Sequence, residues 1–300
     1  RVEASVTGGW QVEVKKPEFT LLNKGEEIMV ELTAKPEENA PPGKLELSVN
    51  IGGASYNKSI RRIEYDHIPY QFILSDAEVK LVKVDLKKSS GRNNIGYIQG
   101  AGDDVPASLK QIGYNVTILT DDMLLNDDLS KYDAIVSGIR AYNVNDRLQV
   151  HYSRLMDYIK QGGNLIVQYN TNNRIGPVVA KMGPYPFNIS RDRVTNENAV
   201  VTFLKPSSPV LNEPNKITAA DFEGWIQERG IYFANELDPK YETVLSMNDP
   251  GENAKDGSLI IAKYGRGNFV YTGLVFFREL PAGVQGAYRL FVNLLSLPVD

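Results

Sequence analysis

Gly100 and Gly102, followed by the acidic pair Asp103–Asp104, are the first residues here whose types and spacing suggest chemistry. They fill the first two positions of G-x-G-x-x-G, and Asp121 stands about 20 residues on, where a ribose-binding acid would lie. Val105 occupies the third glycine position, and a side chain there hinders close packing of helix on strand. The two carboxylates sit where a pyrophosphate would need free N–H groups. They are expected to cap the following helix themselves and to repel an anion. The run reads as a tight turn with a self-capped helix.

The chain has no cysteine and two histidines, His67 and His151. Thiol nucleophiles, thiolate zinc sites and disulfides are therefore excluded. A multi-histidine metal site and a Ser–His triad are poorly supplied, so no metal and no cofactor is expected. Carboxylates remain. A glycosidase needs two acids about 5–9.5 Å apart, and Asp103 with Asp104, or Asp221 with Glu223 in "ADFEGW", could supply them. "DPGENAKDGS" (249–258) has acids at calcium-like spacing but no EF-hand pattern, and reads as a solvated hairpin loop. Arg191 and Arg193 are expected to pair with nearby acids. His151 is read as a partly exposed residue of an amphipathic helix, and His67 as part of an extended segment or a domain junction. A net charge of −4 and a pI near 5.5 argue against a nucleic-acid partner. No apolar run approaches the roughly 20 residues of a membrane helix.

The elements that must position these residues fall into two regions. Residues 1–64 alternate as short strands, "WQVEV", "EEIMVELTA", "KLELSVNI" and "SYNKSIRRIEY", which predicts an Ig-like β-sandwich over 1–88 with an extended connector. "KKSSGRNN" (87–94) reads as a linker. From 92 to 300 the pattern is α/β. "IGYIQ", "YNVTILT", "YDAIVSGI" and "NLIVQYN" are apolar runs of the buried parallel type, with helices between them. This predicts a doubly wound, flavodoxin-like parallel sheet. "DRLQVHYSRLMDYIKQGG" reads as one amphipathic helix stopped by glycine, "GSLIIAKYGRGNFVYTGLVF" as an added antiparallel hairpin and "GAYRLFVNLLSL" as a closing helix.

In such sheets ligands bind beyond the carboxyl ends of strands, where the strand order reverses. The loops 99–104, 139–146 and 168–174 are expected to converge there. They offer Asp103, Asp104, Arg140, Tyr142, Asn143, Tyr169, Asn170 and Arg174, with Trp225 a further candidate for the wall. Carboxylates, amides and aromatic faces suit a neutral or amino sugar bound weakly.

"MDYIKQGGNLIVQYNTN", together with "VTFLKPSSPVLNEPNKITAADFEGW" and the closing segment, resembles ThuA-like and class I glutamine amidotransferase-like domains. The N-terminal strands resemble small sandwich modules of bacterial carbohydrate enzymes. With "YDHIPYQ" and "GYIQGAGDDVPASL", the pairing is similar to the C-terminal region of PIG-L/LmbE-type N-acetylglucosamine deacetylases. An amidotransferase needs a cysteine at its strand–turn–helix elbow, and the corresponding turn is assigned here to Tyr169–Asn170. The deacetylase's His-Pro-Asp-Asp zinc run is absent, and the Asp pairs 103–104, 121–122 and 127–128 have no adjacent histidine. The resemblance therefore implies a non-catalytic accessory region that binds glycan or positions an upstream catalytic domain of the same protein. The alternative is an independent carboxylate-dependent glycan hydrolase. The chain begins at Arg1 without Met and is expected to be part of something longer. A periplasmic or extracellular location follows from the resemblance alone.

Overall fold

A computed structural model describes residues 1–172 and 181–300. The chain divides into two compact units, Arg1–Val84 and Asp85–Asp300. Residues 87–94, read as linker, are counted with the second unit, where the Lys87 N–H donates to Asn215 Oδ1 at 2.7 Å.

The first unit is built from strands. Val2–Val6, Gly43–Ile51, Ala54–Tyr56 and Glu78–Leu81 form one antiparallel sheet around the long Gly43–Ile51 strand. Trp10–Val14 pairs with Leu32–Pro36, and Lys58–Ile63 pairs with Gln71–Asp76 in a separate two-stranded ribbon. The strand expected over 26–34 begins only at Leu32. Val2–Val6 and Trp10–Val14 alternate half-buried and exposed residues, as period-two patterning dictates for strands with one wet face.

The second unit carries a mixed sheet. Its strands are β1 (Asn94–Ile98), β2 (Asn115–Ile118), β3 (Ala134–Ser137), β4 (Asn164–Gln168), β5 (Glu242–Thr243), β6 (Leu259–Tyr264) and β7 (Gly267–Thr272). Among the described residues the order is β2-β1-β3-β4-β7-β6-β5. The first five run parallel, while β6 and β5 are antiparallel to their neighbours. Every residue of β3 and β4 is buried, as expected of parallel strands covered on both faces.

The helices are α1 (Val105–Gln111), α2 (Asp121–Asn126), α3 (Ala141–Val144), α4 (Tyr152–Lys160), α5 (Pro209–Asn212), α6 (Phe276–Glu279) and α7 (Gln285–Leu295). The single helix expected over 146–163 starts instead as a 3-10 turn at Asp146–Gln149, and α4 begins at Tyr152. Asn145 accounts for the turn: its side chain accepts the Arg147 N–H and initiates a separate short segment. Leu155, Tyr158 and Ile159 of α4 join Ile135, Leu165, Val167, Phe269 and Tyr271 in the core on one face of the sheet.

β6 and β7 turn through Gly265 and Arg266. A Cβ on Gly267 would lie 2.1 Å from Gly163 O and 2.3 Å from Ile159 O. Only glycine lets this turn approach the end of α4. His151, expected partly exposed, is 1% exposed, with Nε2 3.2 Å from Asp121 Oδ1. It stands just before α4, on the side that packs inward, so the helical wheel alone misplaced it. No helix among the described residues is long and apolar enough to cross a membrane.

Candidate functional site at the carboxyl edge of the sheet

The chain leaves β1, crosses to β2 on one side, then returns to β3 on the other. The loops after β1, β3 and β4 meet at this reversal and are hydrogen-bonded to one another. Ala101 N–H donates to Ile139 O at 2.8 Å, and Arg140 N–H to Tyr169 O at 2.8 Å.

The glycine loop answers a packing demand. A Cβ on Gly100 would fall 2.0 Å from Ile139 O, so the two loops touch backbone to backbone where a dinucleotide would need space. Asp103 locks the contact. Its Oδ1 accepts from the Tyr97 hydroxyl at 2.5 Å and from Val105 N–H at 3.1 Å, and its Oδ2 accepts from Ile139 N–H at 3.2 Å. Tyr97 in turn accepts from Gln168 Nε2 at 3.2 Å. The chain Gln168–Tyr97–Asp103 thus ties the ends of β4, β1 and β3. Burial, reinforced by the Asp103 charge, drives the Tyr97 hydroxyl far above its ordinary range, so it stays a donor. Sequence reasoning missed Tyr97 and Gln168, because a tyrosine and a glutamine within apolar strands read as ordinary core and edge.

The candidate ligand residues separate into three groups. Asp103 is consumed by the loop lock, and Asp104, exposed, sits at the N-cap of α1 with no side-chain capping bond. The self-capping expected of the pair is done by Asp103 alone. Tyr142, Asn143 and Asn170 are structural. Tyr142 is buried in the core, and its N–H donates to Asn170 Oδ1 at 2.9 Å. Asn170 Nδ2 donates to Gln168 O. Asn143 exchanges two hydrogen bonds with the Thr171 backbone. These amides staple the β3 loop to the β4 loop.

Trp225 is core as well. It is 3% exposed, stacks on Phe222 at 5.5 Å and donates Nε1–H to Asp221 O. Its faces are taken by Phe222, three residues earlier, and by Phe276 from far along the chain. Arg174 lies outside the described residues.

Arg140 and Tyr169 remain, and they have neighbours that sequence spacing did not reveal. Tyr169 stacks on half-buried Tyr232, centroids 5.9 Å apart and planes 7° off parallel, and Phe277 lies 5.4 Å away. Burial raises the Tyr169 hydroxyl, opposed by the charges of Arg140 and Arg278, while Glu228 reinforces it. Arg278 Nε lies 3.3 Å from Glu228 Oε1, an ion pair without hydrogen-bond alignment. Arg140 occupies the strand–turn–helix between β3 and α3 with φ 55° and ψ 21°. Arg140 thus makes a sharp left-handed turn, a conformation that costs a non-glycine residue about 1–2 kcal/mol. Tyr232 also has positive φ, 53°.

Behind this shelf lies Glu279, fully buried, with both carboxylate oxygens 3.1 Å from Ile226 N. Burial pushes its carboxyl up to about 7, with the Ile226 hydrogen bond and the Arg229 and Arg278 charges pulling the other way. Arg229, pushed down to about 10 by burial, spans the Phe222 and Trp225 rings and donates to Ala199 O and Phe222 O.

The other carboxylates have structural partners. Asp221 accepts from the Thr218 N–H and hydroxyl and lies 3.1 Å from Arg289 Nε, whereas Glu223 is exposed. Asp249 accepts from Thr195 and Asn196, and Asp256 from the Ser246 hydroxyl. No group of three His, Asp or Glu among the described residues is arranged to hold a metal.

Three open clefts, of about 730, 470 and 550 Å³, lie away from this edge. The largest is lined by Asp192, Asn235 and the 251–257 loop, and none includes a residue foreseen as ligand-binding.

No family model matches the chain, and no curated protein matches it. Among solved structures it is similar to a cytoplasmic protein from Salmonella typhimurium LT2 (13% identity, TM-score 0.43), over 69% of this chain and 100% of that one. A β-galactosidase from Rahnella sp. R3 matches at 13% identity and TM-score 0.39, over 69% of this chain and 32% of that one. An exo-β-1,4-mannosidase from Opitutaceae bacterium strain TAV5 matches at 12% identity and TM-score 0.41, over 70% and 37%. The chain thus spans about a third of the length of each of these two glycosidases.

Proposed function

We propose that this chain is a non-catalytic accessory region of a bacterial glycan-processing protein, and that the carboxyl-edge shelf binds sugar weakly. The observation that carries the reading is the Tyr169–Tyr232 stack flanked by Phe277, with Arg140, Arg278 and Glu228 around it. Aromatic faces cover a sugar ring while charged and polar rims take its hydroxyls. Of the carboxylates considered for hydrolysis, one in each pair, Asp103 and Asp221, is held by backbone N–H groups, which supports an accessory role. The same reading takes the first unit as an Ig-like sandwich and the second as a flavodoxin-like, amidotransferase-like domain. The reversal of strand order after β1 supports the latter. By the resemblance to PIG-L/LmbE-type deacetylases, the partner is a catalytic domain of the same protein, working in the periplasm or outside the cell.

The test is titration of N-acetylglucosamine oligomers by NMR and calorimetry. Saturable binding in the millimolar to high-micromolar range is expected, about −4 to −6 kcal/mol. Tyr232→Ala should weaken it at least tenfold. No saturation with the unaltered chain removes the sugar-binding reading.

A further inference from the structure

Among the described residues of the second unit, arginines withdrawn from solvent have partners, with one exception. Arg92 donates to Leu297 O at 2.8 Å, Arg154 Nε to Leu124 O at 2.8 Å, and Arg229 Nη2 to Ala199 O at 2.9 Å. Arg278 is ion-paired with Glu228, and Arg289 with Asp221. Arg140 is different. It is half-buried, its Nε is shut off from water, and that donor has no acceptor among the described residues. A buried cationic donor without a partner is costly. Its backbone adds a second cost, the left-handed conformation at φ 55°. Strain of this kind persists where the surroundings impose it, and it clusters at ligand sites. Here the Arg140 N–H is held by Tyr169 O, so the strained turn and the aromatic shelf are one construction.

The rim also has a definite charge. Arg278 and Glu228 neutralise each other, and Arg140, beside Tyr169, has no ion-pair partner among the described residues. One guanidinium matches a monoanion. A phosphate dianion would leave net negative charge next to Glu228. A planar guanidinium fork also fits a carboxylate with two parallel hydrogen bonds, which a hydroxyl cannot offer.

We infer that Arg140 is the anion-recognising residue of the carboxyl-edge shelf, and that the sugar bound there carries a carboxylate, as a uronic acid does. This rests on the sugar-binding reading above. The ring lies against Tyr232 and Phe277, and the carboxylate pairs with the Arg140 guanidinium.

The probes are a galacturonate trimer and a neutral N-acetylglucosamine trimer, titrated against the full chain by NMR at low and high salt. The uronate is expected to bind at least tenfold tighter, with an advantage that shrinks as salt rises. Arg140→Gln should bring the affinities for the two trimers together, whatever it does to the neutral one alone. Arg140→Lys, which keeps the charge but not the fork, should retain only part of it. Tyr232→Ala should weaken both ligands. If the neutral trimer binds and the uronate binds no tighter, the inference is wrong and the sugar-binding reading stands. An unchanged preference in Arg140→Gln also overturns it. If neither trimer binds the unaltered chain, both fall together.

Discussion

Residues 1–84 and 85–300 both depend on strands, yet they remove apolar side chains from water to very different extents. In the first unit Leu45, at 7% exposure, is the one buried apolar side chain. In the second, whole strands disappear from the surface, and Phe269, Tyr271, Phe276 and Phe291 are all within the core. The difference follows from what covers the strands. Helices α4 and α7 lie against β4 and its neighbours in the second unit, so both faces of the sheet can be apolar. The first unit has no helix, and its strands keep at least one face in water. Its Lys58–Ile63/Gln71–Asp76 ribbon goes further and exposes Ile60, Phe72 and Leu74 together. A two-stranded ribbon alone is marginal in water. The second unit is thus the rigid platform that can hold a site, and the first gains comparatively little from its own core.

The sharpest way to break this contrast is to cut the same side chain in each unit. Phe269→Ala should destabilise the second unit by about 3–5 kcal/mol, the range for a fully buried aromatic. Each unit has one tryptophan, Trp10 and Trp225, so denaturant titration followed at the two indole N–H signals in NMR reads them separately. A midpoint at the Trp225 signal that Phe269→Ala leaves unchanged would invert the comparison.

An effect of at most about 3 kcal/mol is expected from pH. The Glu279 carboxyl is raised to about 7 in the folded chain from an ordinary 4.5. Between those values the folded state holds a proton that the unfolded state has released. Stability of the second unit should therefore be highest near pH 4.5 on this account, and should fall as pH rises to about 7. Glu279→Gln should flatten that slope, measured as denaturation midpoints at the Trp225 signal. An unchanged slope would show that Glu279 is not the responsible group.

The smallest effect should come from the exposed ribbon. Phe72→Ala is expected to change stability by no more than about 0.5 kcal/mol, because its ring is already 56% exposed. A cost above 2 kcal/mol at the Trp10 signal would mean that the ribbon is packed in solution.

What the sequence could specify was set by local periodicity. The buried runs "IGYIQ", "YDAIVSGI" and "NLIVQYN" are legible because a parallel strand covered on both faces must be apolar throughout. The β6–β7 hairpin is legible from Gly265 and Gly267. That a helix begins just after the glycine loop was also legible, from Pro106 and the two aspartates. Yet the use of Gly100 is tertiary: only the fold brings Ile139 O to the place its Cβ would occupy.

The site was decided almost wholly by long-range contact. Tyr142, Asn143 and Asn170 look like ligand residues in polar loops, but partners about 28 residues away in the chain take up their hydrogen-bonding groups. Trp225 looks like a sugar platform until Phe222 and Phe276 enclose it. Conversely, nothing local marks Tyr232, Phe277 or Glu279. Tyr232 and Phe277 join Tyr169 only because the turn after β7 and the loop before Phe233 return to the same sheet edge. Residue type and spacing fixed which strands could exist. Which side chains still face a ligand depended on which hydrogen bonds and aromatic faces other parts of the chain had already used.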